Sequence, residues 1–241
     1  MNLIFCMAGL YRRFLDAGYR TQKYLLPWGQ DVVLQRVMAP LVSGCNGEIV
    51  LVANLRDTKA RDAILAVMAG FGIPARNLCF VPDTQGQAQT AALGCDHLEK
   101  ITPLSNRRVL MHNVDTVVEG RDLANIDAIL TRDHGWIDTF SASSPAYSYV
   151  AMDDAGIVTA IAEKRVISPH ATTGLYGFGS IDLFRGYLGR AQRAGAEFYI
   201  SDVYRAMIED GQRVRAGVPE PGMRTVILGT PDEYRSAVGI L

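Results

Sequence analysis

The sequence is short of the features that mark several common function classes. Its four cysteines, Cys6, Cys45, Cys79 and Cys95, lie far apart with no CxxC spacing. That excludes a zinc ribbon and gives no disulfide framework, so buried free thiols are the expectation. The four histidines form no HxxxH pair, the spacing that two zinc ligands on one helix face would need. There is no GxSxG elbow and no Walker A lysine. No apolar run approaches the ~20 residues of a membrane-spanning helix. The opening Met1 to Cys6 run is apolar but too short for a signal peptide, and Arg12-Arg13 follows it rather than preceding it. A cytoplasmic protein is expected. Charge of either sign is also lacking in excess, with 24 Lys+Arg against 25 Asp+Glu and a net charge of -1. Neither nucleic acid nor an anionic membrane is expected as the main partner. No internal repeat or low-complexity tract is present.

What the sequence does contain is core. Hydrophobic residues make up 49% and charged residues 20% of 241 positions, enough for one well-filled domain or a core with a small insertion. Apolar runs that read as buried strands alternate with helix-like stretches. Leu3 to Met7, Glu48 to Ala53, Asn77 to Val81 and Arg108 to His112 are the strands. Val32 to Leu41, Ala60 to Phe71 and Gln87 to Leu98 are the helices between them. This order predicts a mostly parallel sheet in a layered α/β domain, with ligands beyond the carboxyl ends of the strands. The second half has a different texture. Ser148 to Met152, Val158 to Ala162 and Gly174 to Phe178 read as short strands joined by turns. A helix over Ser201 to Glu209, strands at Val214 to Val218 and Thr225 to Leu228, and a Thr230-capped helix complete the chain.

Three segments converge on the expected ligand edge. Ala8-Gly9-Leu10 leaves the first strand as a small-residue loop whose amides can surround phosphate oxygens, with Arg13 and Lys23 following. A tight turn followed by solvated basic residues would use the same letters. Gly86-Gln87-Ala88-Gln89-Thr90 can bring amide side chains to a base edge, and equally describes a helix start. Asn113-Val114-Asp115 puts one carboxylate at a strand end, where Mg2+ or a helix cap would use it. A fourth segment, Glu163-Lys164 with Gly174 nearby, can hold acceptor hydroxyls and an acceptor phosphate, or simply be solvated.

Together these segments resemble the sugar-phosphate nucleotidyltransferases (nucleoside-diphosphate-sugar pyrophosphorylases), in a small capsule-associated form. Met7 to Phe14 followed by Lys23-Tyr24-Leu25-Leu26-Pro27 is similar to the family's opening motif. Gly86 to Thr90 looks like its base-contact segment, Asn113-Val114-Asp115 like its metal-binding N-x-D, and Glu163-Lys164 like its acceptor-side pair. Phe198 to Tyr204 and Gly229-Thr230-Pro231 match late landmarks in order.

The resemblance implies a three-layer α/β/α nucleotide-diphospho-sugar transferase-like (Rossmann-like) fold in a single domain over residues 1–241. Residues 1–120 would bind the nucleotide and 121–241 the acceptor. It implies transfer of NMP from an NTP to a phosphorylated acceptor, a sugar 1-phosphate first, with release of pyrophosphate and Mg2+ as cofactor. Ala8, Gly9, Leu10, Gly86 and Gln87 would hold the nucleotide, and Glu163, Lys164 and Gly174 the acceptor. Arg13, Lys23, Asp115 and Lys164 would carry the catalysis.

The sequence departs from the family pattern in two places. Tyr11 and Arg12 stand where a glycine and a small hydroxyl residue are usual. Ile227 stands two residues before Gly229-Thr230, where many relatives carry a metal-binding Asp. A second metal carboxylate then falls to Asp202. The alternatives are cytidylyl-type transfer to a non-sugar phosphate such as phosphocholine or a phosphorylated amino-acid derivative, in surface polysaccharide synthesis, and a nucleotide-binding module without turnover. A glycosyltransferase of related fold would want a D-x-D where Asn113-Val114-Asp115 has one carboxylate.

Overall fold

Strand β1 (Asn2–Met7) is buried along its whole length, and the side-chain alternation of a strand sends its residues to two different cores. Leu3, Phe5 and Met7 join one apolar cluster, and Ile4 and Cys6 join the other. A computed structural model describes residues 1–102, 108–191 and 197–239.

The chain continues through α1 (Arg12–Asp16), β2 (Pro27–Trp28), β3 (Asp31–Val32), α2 (Val33–Val42), β4 (Ile49–Asn54), α3 (Arg61–Gly70), β5 (Leu78–Val81), α4 (Gln87–Ile101) and β6 (Val109–Asn113). β1 lies between β4 and β6, and β5 flanks β4, all parallel. Such a ladder needs a crossover between successive strands, and α4 supplies one across the β1 and β4 faces. The apolar stripe of α2, Val33, Leu34, Val37, Met38 and Leu41, faces one core, and Ala88, Ala91, Cys95 and Leu98 of α4 face the other. The result is the three-layer α/β/α arrangement expected.

After β6 come β7 (Thr116–Glu119), α5 (Leu123–Ile129), β8 (Gly135–Ser141), β9 (Tyr149–Met152), β10 (Val158–Ala162), β11 (His170–Phe178), α6 (Ile181–Ala191), α7 (Ile200–Glu209), β12 (Val214–Gly217), β13 (Arg224–Ile227) and α8 (Pro231–Val238). β11 runs antiparallel to β6, β8 and β9, and extends the sheet into the order β10-β9-β11-β6-β1-β4-β5. β13 pairs with β7 apart from the main sheet.

Three elements depart from the sequence expectation. The segment before α3, Leu55–Ala60, is a 3-10 helix whose first turn is capped by the Asn54 side chain. β8 reads poorly as a core strand because Asp138 sits in its middle, yet Asp138 is 1% exposed. Arg121, 7% exposed overall, neutralises it at 3.0 Å. α6 contains Gly186 and Gly189, which weaken its helical signal by ~1 kcal/mol each relative to Ala.

Candidate functional site

The carboxyl ends of β1 and β6, the turn before α4 and the β11 strand open onto one cavity of about 680 Å3. Every expected nucleotide and acceptor residue lines it: Ala8, Gly9, Leu10, Arg13, Lys23, Gly86, Gln87, Asp115, Glu163, Lys164 and Gly174. Asp202 does not.

At one end the first turn of α1, just past the β1–α1 loop, carries Arg12 and Arg13, both exposed. Among the described residues neither guanidinium has a carboxylate partner. Lys23 Nζ lies 2.8 Å from Asp115 Oδ2. Burial works to raise the Asp115 pKa, but the adjacent ammonium outweighs it and holds the carboxyl below its usual range. Asp115 itself is fixed by the backbone, since Leu228 N–H donates to its carbonyl at 2.7 Å. That bond brings β13, and with it Ile227, to the Asp115 side of the cavity.

The turn before α4 is built on close backbone approach. Gly86 has φ +150°, and a Cβ there would collide with the Phe198 backbone. Phe198 N–H donates to the Gln85 carbonyl at 2.8 Å and its carbonyl accepts from Ala88 N–H at 3.2 Å. These bonds tie the turn to the segment preceding α7. Gln87, the first residue of α4, presents a buried Nε2 with no hydrogen-bond partner among the described residues. An orphaned buried donor costs ~1–3 kcal/mol, so a cavity-lining amide of this kind fits a ligand acceptor.

The other end is held by β10 and β11. Lys164, with φ +51°, donates from Nζ to Tyr199 Oη at 2.8 Å and lies 5.0 Å from the centre of that ring. The Glu163 carboxylate accepts from Ser201 Oγ at 3.0 Å and from Ser148 Oγ. Gly174 has φ +87°, and a Cβ would sit 2.6 Å from Asn113 Nδ2, so this end also needs a bare backbone.

The expectation for Asp202 is corrected. One of its oxygens accepts from Tyr199 N–H at 3.1 Å, in a capping box at the start of α7, and the other pairs with Arg205 at 2.8 Å. It serves the helix start and does not join Asp115. Among the described residues no cluster of three or more His, Cys, Asp or Glu side chains is gathered.

No family model and no curated protein matches the sequence. Solved structures do match. The fold is similar to that of a nucleoside-diphosphate-sugar pyrophosphorylase from Vibrio cholerae RC9, with a TM-score of 0.85 and 23% identity, over 98% of this chain and 99% of that one. It is similar to a UDP-glucose pyrophosphorylase complexed with UDP-glucose, with a TM-score of 0.76 and 16% identity over 99% and 97% of the two chains. It is similar also to an inositol-1-phosphate CTP transferase from T. maritima, with a TM-score of 0.75 and 14% identity over 99% and 94%. The chain has their fold.

Several residues of this cavity escape a sequence reading. Glu233 faces it from α8, accepting from Tyr147 Oη at 3.1 Å and from Thr230 Oγ1 at 2.9 Å. Burial, together with Glu233, pushes the Tyr147 hydroxyl up to about 12. Glu197 accepts from Tyr199 Oη. The signal for Tyr199 and Glu233 lay in the landmarks Phe198 to Tyr204 and Gly229-Thr230-Pro231, which name the neighbourhood but not the side chain that turns inward.

Proposed function

We propose that this chain moves a nucleoside monophosphate from an NTP to a small phosphorylated acceptor, a sugar 1-phosphate in the first reading, and releases pyrophosphate. The observation that carries the proposal is one cavity with two separately held sets of cations. Arg12, Arg13 and Lys23 line the nucleotide end and Lys164 lines the acceptor end. A cavity built for one anion needs one set. Residues 1–120 then serve mainly the nucleotide and residues 121–241 mainly the acceptor. The shared fold of the pyrophosphorylases and the CTP transferase supports the same reading.

In the reaction an acceptor phosphate oxygen forms a bond to the α-phosphorus as the bond from that phosphorus to the bridging oxygen breaks. The attacking oxygen needs no base, because a phosphate monoester is largely dianionic at neutral pH (second pKa ~6). The chain's part is to position and to neutralise. Lys164 orients the attacking phosphate, and Tyr199 holds that ammonium in place. Gly9 and Leu10 bring backbone to the triphosphate, Arg13 offsets charge on the leaving pyrophosphate, and Gln87 meets the base. Lys23 exchanges its contact with Asp115 for phosphate oxygens.

Mg2+ fits the donor set in one way. Asp115 would hold it as a single carboxylate, the remaining ligands coming from substrate phosphates and water. Bound there, the ion would supply charge neutralisation along the triphosphate.

A second reading is favoured by the acid at the acceptor end. Glu163, Glu197 and Glu233 line the cavity with Lys164. Glu197 reaches the Lys164 ammonium through the Tyr199 hydroxyl, Glu163 precedes it in the chain, and Glu233 is held by Tyr147. Three carboxylates against one lysine suit an acceptor that carries its own cation, such as phosphocholine or a phosphorylated amino-acid derivative, better than one that is only anionic. Pyrophosphate release, measured with each NTP against a sugar 1-phosphate and phosphocholine, tests both. Release that requires one acceptor supports the transfer and names its class. Nucleotide binding with no release from any acceptor would reduce the chain to a binding module.

A further inference from the structure

Asp57 belongs to none of the segments above, yet it is fully buried, at 0% exposure, just beyond the end of β4. Among the described residues it has three side-chain hydrogen-bond donors: Tyr11 and Tyr24, which line the nucleotide end of the cavity, and Gln22 beside Lys23. Oδ1 accepts from Tyr11 Oη at 2.7 Å and from Gln22 Nε2 at 3.3 Å, and Oδ2 accepts from Tyr24 Oη at 3.0 Å. Gln22 and Tyr24 flank Lys23, so the carboxylate holds the Lys23 turn from both sides. Tyr11 caps α1 and immediately precedes Arg12 and Arg13. Burial, with the Asp57 hydrogen bond and charge adding to it, pushes the Tyr11 hydroxyl up to about 12 and that of Tyr24 further. Both therefore remain donors at neutral pH.

Tyr11 also occupies the left-handed region, with φ 36° and ψ 37°. A non-glycine residue goes there at a cost that its surroundings must offset. Among the described residues the hydroxyl bond to Asp57 is the one hydrogen bond its side chain makes, and it reaches across 46 residues of sequence to a fully buried carboxylate. A charge-assisted bond of this kind is stronger than a neutral one.

We propose that Asp57 is a positioning residue for the nucleotide end: its buried carboxylate clamps the β1–α1 loop through Tyr11 and the Lys23 turn through Gln22 and Tyr24, so that Arg12, Arg13 and Lys23 are presented together to the triphosphate. The clamp replaces a glycine's backbone freedom with a tethered side chain. This inference rests on the nucleotide reading given above, but its ordering effect does not need nucleotide to be seen.

The test has two arms on the full chain. In amide hydrogen exchange without ligand, Tyr11→Phe and Tyr24→Phe should each speed exchange in both segments, 10–14 and 22–26. A residue with only local packing to lose would disturb its own segment alone, and that result would overturn the clamp. In NTP titration, Tyr11→Phe should weaken binding about tenfold, the scale of one lost charge-assisted hydrogen bond. Tyr11→Gly should bind more tightly than Tyr11→Phe, because glycine takes the left-handed conformation without the tether. Weaker binding by Tyr11→Gly than by Tyr11→Phe would overturn the proposal, since it would make the ring itself the contributor. The Tyr11→Phe, Asp57→Asn double variant should lose less than the sum of the two single losses, because the Tyr11–Asp57 contact is counted in both, and full additivity would count against the clamp. Should the wild type bind no NTP, the nucleotide reading fails, and the exchange arm still decides the clamp.

Discussion

Replacing Arg121 with methionine should be among the most damaging single changes outside the apolar core. The Arg121 and Asp138 side chains are 1% and 2% exposed and lie 3.0 Å apart. The guanidinium also donates to the carbonyls of Glu119 at 2.9 Å and Arg224 at 2.7 Å, and to Thr225 Oγ1 at 2.8 Å. It thus bolts β8 to the β7–β13 pair. Arg121→Met leaves the Asp138 carboxylate buried with Thr173 Oγ1, at 2.8 Å, as its remaining side-chain donor. Breaking a buried pair from one side costs ~3–5 kcal/mol. At ~2–4 °C per kcal/mol for a domain of this size, the midpoint should fall by roughly 6–20 °C. Urea melts followed by circular dichroism would measure it, with an unchanged slope confirming that stability and not the unfolded state was altered. Arg121→Met with Asp138→Leu should be more stable than Arg121→Met alone, because the stranded charge is gone. As a control, Arg108→Met removes a pair whose side chains are 34% and 20% exposed and should cost ~1 kcal/mol or less. The reasoning is refuted if Arg121→Met falls within ~1 kcal/mol of wild type, the range of an exposed pair.

Other changes are expected to separate the roles further. Gly86→Ala should destabilise by ~2 kcal/mol or more in urea melts, since the Cβ meets backbone that cannot yield at a positive φ. Gly9→Ala, with open space around it, should stay within ~0.5 kcal/mol. Lys164→Met should raise the acceptor KM by ~10–100-fold, one charged hydrogen bond's worth, and leave the NTP Kd nearly unchanged in titration. His112 is fully buried and burial lowers its pKa to about 4. The unfolded imidazole, at ~6.5, takes up a proton that the folded one refuses. This group therefore costs stability as pH falls from about 6.5 to about 4. The stability difference between wild type and His112→Gln should shift against the wild type by ~3 kcal/mol across that window, read from urea melts at each pH.

Much of this molecule is legible as sequence, and the illegible parts share a physical reason. The apolar runs of β1 and β4 are visible because a strand buried on both faces is apolar at every position. β8 is not, because its central Asp138 is made tolerable by Arg121, 17 residues away, and by Thr173, 35 residues away. The α6 pattern is diluted by two glycines. At the site, Lys23 and Asp115 could be named from motifs, yet their 2.8 Å pairing spans 92 residues. Asp57 carries no local signature at all, since what makes it matter is a contact across 46 residues, and the landmark beside Glu233 does not reveal its contact with Tyr147 across 86 residues. Asp202 misled for the opposite reason. Its two oxygens serve the capping box and Arg205, and the residue does not line the cavity.

The central claim is that one cavity receives an NTP through Asp115 and its basic neighbours. The most direct measurement is the thermal midpoint of the wild type and of Asp115→Asn with Mg2+ and each of CTP, UTP, dTTP, ATP and GTP. Ligand at ~100 times its Kd adds ~2.7 kcal/mol of stability, which is a rise of several degrees for a chain of this length. The account predicts that one NTP raises the wild-type midpoint in a Mg2+-dependent way and that Asp115→Asn loses the rise. A folded wild type whose midpoint no NTP moves would contradict it.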